Sequence, residues 1–222
     1  MAPAPRRGWS LCYPTPMSVH SIPRLTPDEY LALERAAEIK SELLDGQMIA
    51  MTGGSIRRGR IASNLVQAIG LQLRSRSCEV FGSDVRVLVA QTGLYTYPDV
   101  SVVCGEPTLT DEHFDTLTNP TVLIEVLSPS TAAYDRTTKF EHYRALAALR
   151  EYLLVSQDQP KVEQYVRQEN RTDLLFTETK DLAASIVLPS IECALKMAEI
   201  YARVRFDDRR DTPVPPVLAP GG

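Results

Sequence analysis

Three acidic side chains and one amine stand where their chemistry demands an explanation. The run Thr121 to Leu127 is apolar except for Glu125. A carboxylate in an inner strand costs several kcal/mol unless it is paired, hydrogen-bonded or coordinated. Asp99 has the same character, lying between Pro98 and the run Val100-Ser101-Val102-Val103. If the two strands are neighbours, Asp99 and Glu125 can converge on one hard dication, Mg²⁺ or Mn²⁺, which takes one or two carboxylates together with water and substrate phosphate. The structural alternative has Asp99 capping the turn after Pro98 and Glu125 pairing with an arginine such as Arg136 or Arg144.

Lys139 and Tyr143 are four residues apart on the helical segment after the Glu125 strand, so they share a face and can reach the mouth of the same sheet. An amine there can orient or deprotonate a water; the alternative is a solvated lysine. Glu42 lies in the hairpin sequence Ser41 to Gly46, where alternation places it with Leu44 on one face, and it can equally point to solvent. Arg57, Arg58 and Arg60 precede a long helical stripe, where guanidinium and free backbone N–H groups can hold phosphate oxygens, or simply form a solvated basic turn.

The elements that must position these groups are readable from pattern. Thr26-Pro27-Asp28-Glu29 combines a capping hydroxyl, a proline at the first helical position and a glutamate at the third. Asp45-Gly46 supplies the positive φ of a tight hairpin between Glu42-Leu43-Leu44 and Met48 to Met51. Ile61, Leu65, Ile69 and Leu73 recur every four residues and predict a helix of about five turns. Val80-Phe81, Val85 to Val89, Tyr97 to Cys104 and Val122 to Leu127 read as strands. A helix over Arg136 to Leu149 follows, then strands over Glu151 to Val155 and Val162 to Val166. Leu174 to Thr177 and Ser185 to Leu188 can extend the sheet, and Cys193 to Val204 reads as a closing amphipathic helix.

The chain has 222 residues, 44% apolar and 23% charged, with a formal net charge of −4. Setting aside Arg6 and Arg7 at one end, and three arginines against Asp207, Asp208 and Asp211 at the other, leaves 19 basic and 25 acidic residues, a body at −6. No overall basic field draws it to polyanions, so a nucleic-acid contact has to be local and metal-assisted. No apolar stretch approaches the roughly 18 to 20 residues of a membrane span. Residues 1–17 read as a disordered leader, 18–204 as one domain and the Pro-rich stretch 205–222 as a disordered tail. Cys12, Cys78, Cys104 and Cys193 lie far apart with no Cys-x-x-Cys pair, arguing against disulfides and structural zinc, and so for a reducing cytoplasm.

The order Glu42 in Glu-Leu-Leu-Asp-Gly, Pro98-Asp99-Val100, Ile124-Glu125-Val126-Leu127-Ser128-Pro129-Ser130-Thr131, Asp135, Lys139, Tyr143 and Glu151 to Val155 resembles the Uma2 family. That family, formerly a domain of unknown function, is placed in the PD-(D/E)XK nuclease superfamily. The resemblance covers roughly Leu25 to Val204. It implies an α/β (α+β) restriction-endonuclease-like fold, a mixed central sheet flanked by helices, here with an N-terminal helix and hairpin. It also implies Asp99 and Glu125 as ligands of Mg²⁺ (or Mn²⁺), Glu42 as a further acidic member and Lys139 as the catalytic lysine. Arg58, Arg60 and Tyr143 are then candidate substrate contacts. Two departures stand out: the superfamily's lysine position two residues after the glutamate is Leu127, and the turn where many relatives carry histidine reads Arg57-Arg58-Gly59-Arg60.

The expected activity is metal-dependent endonucleolytic hydrolysis of nucleic acid, DNA foremost, by a homodimer. A catalytically silent nuclease fold acting as a binding or regulatory module is the rival. A metal-free, glycosidase-type carboxylate pair is a third option.

Overall fold

The computed structural model describes residues 24–51, 53–168 and 173–206. The leader and almost all of the tail expected from sequence lie outside these residues. Within them run α1 (Pro27–Ala36), β1 (Ser41–Leu44), β2 (Gln47–Ala50), α2 (Ile56–Leu73), β3 (Cys78–Gly82), β4 (Arg86–Val89), β5 (Leu94–Thr96), β6 (Val100–Cys104), β7 (Thr116–Leu117) and β8 (Val122–Leu127). The chain continues through α3 (Ala132–Arg136), α4 (Thr138–Arg144), β9 (Glu151–Ser156), β10 (Val162–Arg167), β11 (Leu174–Thr179), β12 (Ser185–Leu188), β13 (Cys193–Lys196) and α5 (Met197–Ile200).

The central sheet runs β11-β10-β9-β8-β6-β3, antiparallel except for the parallel pair β8 and β9. Parallel neighbours need a crossover, and α3 and α4 supply it. A second sheet runs β2-β1-β5-β4-β7, with only β4 and β7 parallel. All six residues of β8 are buried, because both of its faces are covered. Val122, Ile124 and Val126 join the core beneath α2, whose stripe Ile61, Leu65, Ile69 and Leu73 is buried there as its period requires. Leu123 and Leu127 face the other way, against Tyr143, Tyr152 and the strands of the second sheet.

The N-terminal helix begins as its sequence demands: Thr26 Oγ1 accepts the Glu29 N–H at 3.3 Å and Glu29 Oε2 accepts the Thr26 N–H at 2.8 Å. Its Glu34 meets Arg86 of β4 and the Tyr97 hydroxyl, all buried, and so ties α1 to the second sheet.

Several expectations are corrected. The run Tyr97 to Cys104 is not one strand, since Tyr97-Pro98-Asp99 passes from β5 in one sheet to β6 in the other. The helix expected over Arg136 to Leu149 is two short helices that stop at Arg144, broken at Thr137 (φ −115°, ψ −88°). Cys193 to Lys196 is a strand, paired with β12 in a separate two-stranded sheet, and only Met197–Ile200 is helical. The alternation that suggested a helical stripe there, Leu195 to Tyr201, is a strand face followed by one turn. Phe206, in the expected tail, packs its ring on Tyr201 at 5.6 Å between centroids.

The cysteine reading also fails. Cys78 and Cys104 are direct cross-strand partners of β3 and β6 and form a disulfide, while Cys193 is free and buried. Separation along the chain says nothing about partners brought together by an antiparallel register. The cysteine argument for a reducing compartment therefore lapses. Among the described residues, no helix is long and apolar enough to cross a membrane.

A bridge over 26 residues stabilises by about 3 kcal/mol through loop-closure entropy. Replacing both cysteines, Cys78→Ser with Cys104→Ser, should lower stability by that order in oxidising buffer and change nothing in excess reductant. Urea melts measure this, and equal melts in oxidising buffer would contradict it.

Candidate active site

The link Tyr97-Pro98-Asp99 creates the site by changing sheets. Val100 pairs with Ile124 across antiparallel strands, so Asp99 stands one step further on, across from Glu125. Asp99 Oδ2 accepts the Val126 N–H at 2.7 Å. The pleat sends Glu125 to the same face as Leu123 and Leu127, toward α4.

On that face α4 lays Lys139 among the acids. Lys139 Nζ lies 2.9 Å from Glu42 Oε1, 3.1 Å from Glu125 Oε1 and 3.8 Å from Asp135 Oδ1. The Tyr143 hydroxyl donates to Glu125 Oε1 at 2.8 Å. Glu42, from β1, is held in turn by the Thr96 hydroxyl and the Tyr97 N–H. The Tyr134 ring lies 5.7 Å from Nζ, a cation–π distance. Lys139 is 5% exposed, Glu42 7% and Glu125 1%, so neither the lysine nor Glu42 is a solvated side chain.

Asp99 meets a different cation. Arg58 Nε donates to its two oxygens at 2.9 and 3.1 Å. Ser55 caps α2 by accepting the Arg58 N–H at 3.1 Å and donates its hydroxyl to Gln157 Oε1 at 2.7 Å, anchoring the start of α2 over the end of β9. The structural alternative from sequence is corrected too, because Arg136 pairs with Glu163 at 2.8 Å and Glu125 takes Lys139 instead. Arg57 Nη1 lies 3.8 Å from Asp158. Arg60 is exposed, its Nη1 donating to the Arg203 carbonyl at 3.4 Å, and does not join the acidic cluster. Tyr143 is fully buried, so its hydroxyl serves Glu125.

Burial opposes the charge on Lys139, but Glu125, Glu42 and Asp135 outweigh it and hold the pKa well above the usual lysine value. The group stays an ammonium. Burial raises Glu125; Lys139 works against the rise, while Asp135, Asp99 and Glu42 add to it. Burial likewise raises Asp135 against the pull of Lys139. Tyr143 is pushed far up by burial and by Glu125, so it remains a donor. Burial disfavours the charge on Arg58, and Asp99 more than restores it.

A cleft of about 390 Å³ opens beside Asp99 and Arg58, with Lys40, Gly53, Gly54 and Gly59 on its walls. Added side-chain carbons at Gly53 and Gly59 would meet nothing within 4 Å, so these walls of the cleft are open. Among the described residues, no three His, Cys, Asp or Glu side chains form a metal cage on their own. Asp99 and Glu125 carry hard oxygen donors of the kind of which Mg²⁺ takes one or two from a protein. Four acids, Glu42, Asp99, Glu125 and Asp135, share two cations, and a dication suits that excess of negative charge.

Sequence reasoning missed Thr96 and Tyr134 as partners in the site. Asp135 was legible as the residue four before Lys139, although a helix break at Thr137 lies between them. Nothing in the local sequence marks Thr96, which reaches Glu42 only because β1 and β5 are adjacent.

The mixed sheet flanked by helices is a restriction-endonuclease-like fold. A family model described as Uma2, putative restriction endonuclease, matches residues 27–198, and the chain belongs to the Uma2 family. Two relatives from Synechocystis sp. (strain ATCC 27184 / PCC 6803 / Kazusa) bear the name uncharacterized protein. One, sll1609, is 40% identical over 151 residues, 68% of this chain and 85% of its own. The other, slr1290, is 38% identical over 184 residues, 83% and 95% of the two chains. A crystal structure described as a putative nuclease belonging to DUF820, from Anabaena variabilis ATCC 29413, matches with a TM-score of 0.65 at 22% identity. It covers 79% of this chain and 96% of its own, and it shares the fold.

A raised carboxylate makes the folded state take up a proton more readily than the unfolded chain does. Metal-free stability should therefore fall as pH rises from the ordinary glutamate value of 4.5 through the raised one. Lys139 opposes no part of this fall, since its contribution is complete below its unfolded value of 10.5 and is lost only in stronger alkali. Glu125→Gln keeps the Tyr143 contact and removes the titration. Melts in EDTA between about pH 5 and about pH 8 should show the variant gaining stability relative to the parent. Parallel curves would contradict the assignment.

Proposed function

We propose that this protein is a metal-dependent endonuclease that hydrolyses phosphodiester bonds, with DNA as substrate and Asp99 and Glu125 holding Mg²⁺ or Mn²⁺. The observation that carries the reading is the convergence of Asp99, Glu125 and Lys139, from three separated segments, in a buried acidic cluster beside an open cleft. Membership of a family described as putative restriction endonucleases supports it. A dication held by Asp99 and Glu125 would lower the pKa of a water and neutralise charge on the attacked phosphate.

In this reading Lys139 stays charged, so it orients the attacking water and stabilises developing negative charge instead of removing the water's proton. Glu42 and Asp135 hold the ammonium in place, and Tyr143 fixes Glu125. Arg58 leaves Asp99 for a phosphate oxygen, a match its planar donor group makes well. Arg60, outside the cluster, contacts the substrate at most from the rim. Cutting both strands of a duplex takes two such sites, and a homodimer provides them.

One observation favours the catalytically silent alternative: the Arg58 guanidinium sits on both oxygens of Asp99, where a ligand is needed. Calorimetry separates the two readings, since the silent module would bind no Mg²⁺ or Mn²⁺ near millimolar concentration.

The direct test is nicking of supercoiled plasmid with Mn²⁺. Nicking should be abolished by EDTA and by Asp99→Ala with Glu125→Ala, and Lys139→Met should slow it by about 10²- to 10³-fold. Cleavage that survives the double substitution would sink the assignment.

A further inference from the structure

At the end of α4 opposite Lys139, three guanidinium groups gather without an acidic partner among the described residues. Arg144 closes α4, Arg150 precedes β9 and Arg167 ends β10. Arg167 Nη2 donates to the Arg144 carbonyl at 2.8 Å, and the Arg167 N–H to the Arg150 carbonyl at 2.8 Å. Among the described residues, none of the three has an acidic oxygen within 4.0 Å, whereas Arg35, Arg58, Arg86 and Arg136 all do.

The nearby acids do not fill the gap. Glu151 is buried and turned to Ser190 and Gln164, accepting from both. Glu141 lines the adjoining cleft but lies beyond ion-pair distance of all three arginines. Burial, and then the like charges of Arg150 and Arg144, push the Arg167 guanidinium below its ordinary pKa. Its buried Nε has no acceptor among the described residues. That cleft, walled by Glu141, Arg144, Ala145, Arg167 and Leu174, measures about 490 Å³; Arg150 lines a smaller adjoining recess with Phe140, Tyr152 and Tyr165, and Arg144 lies 6.0 Å from the Phe140 ring.

Like charges held together in this way are stabilised by an anion with several oxygens, and planar guanidinium forks match phosphate. We propose that Arg144, Arg150 and Arg167 form a phosphate-binding subsite that grips the backbone of a nucleic-acid strand leading to the acidic site. The identity of the polyanion rests on the nuclease reading; the anion preference rests on three arginines with no acidic partner among the described residues. Arg150 stands just before the start of β9, whereas Glu125 is level with Leu154 of that strand, four residues or roughly 13 Å further along, so a strand gripped by the arginines crosses that length of the sheet to reach the acidic site. A protein with a negative body would thus hold its substrate through a local positive patch.

The test is fluorescence anisotropy of labelled single- and double-stranded oligonucleotides in EDTA over a range of salt, with the full-length chain. Arg144→Gln with Arg150→Gln removes two exposed charges and leaves the backbone contacts of Arg167 in place. Affinity should fall roughly tenfold at about 0.1 M salt, and the slope of log affinity against log salt should shrink by about two. Arg144→Lys with Arg150→Lys should restore the slope, which separates charge from shape. Unchanged affinity and slope in the glutamine variant would overturn the proposal. So would complete displacement of the oligonucleotide by inorganic phosphate or a mononucleotide at low millimolar concentration, since the ligand would then be a free phosphate. Binding is read without metal. A chain that binds through these arginines but never nicks plasmid defeats only the hydrolytic reading, and one that nicks with unaltered binding in the variant defeats only the subsite.

Discussion

One buried ammonium holds the acidic site together. Lys139 is shared by Glu42, Glu125 and Asp135, and without it three carboxylates would be packed together in a region that excludes water. Each unpaired charge in such a place costs several kcal/mol. The geometry around Lys139 therefore constrains the packing of β1, β8, α3 and α4 at once. The two short helices keep Asp135 and Lys139 near each other across their break, and the crossover between parallel β8 and β9 is where that helical pair has to lie.

The same arrangement carries a built-in conflict. Charges that are balanced as far as two cations allow still leave four acids against Lys139 and Arg58. Burial raises Glu125 and Asp135 despite the pull of Lys139, and the neighbouring acids add to the rise. A purely structural ion-pair network gains nothing from such an excess. The Glu34, Arg86 and Tyr97 cluster behind α1 is the contrast: its acid, its base and its hydroxyl are buried and mutually satisfied.

Much of this was legible in the sequence. Glu125 in an apolar strand, the sharing of a helical face by Lys139 and Tyr143, the capping box before α1 and the Asp45-Gly46 hairpin all follow from local pattern, and the structure places them accordingly. What was not legible depends on which strands become neighbours. Cys78 and Cys104 are distant in sequence yet opposed in register. The break at Pro98 changes sheets, which no single-strand pattern reveals, and Thr96 enters the site only because β1 and β5 are neighbours. Arg58 was identified as a basic residue at a helix start, but its pairing with Asp99 is a product of how α2 lies over β6 and β8. The C-terminal strand β13 was misread because its alternating burial, Cys193 and Leu195 inward, runs directly into a helical turn with the same apolar content.

The central claim is that residues remote in the chain make one pocket fit for a dication. Anomalous diffraction from crystals soaked in Mn²⁺ tests it most directly. The account predicts a peak between the carboxylates of Asp99 and Glu125, with the Arg58 side chain withdrawn from Asp99 and the Lys139 ammonium still against Glu42. Clean density with no anomalous peak there and Arg58 still seated on Asp99 would contradict it.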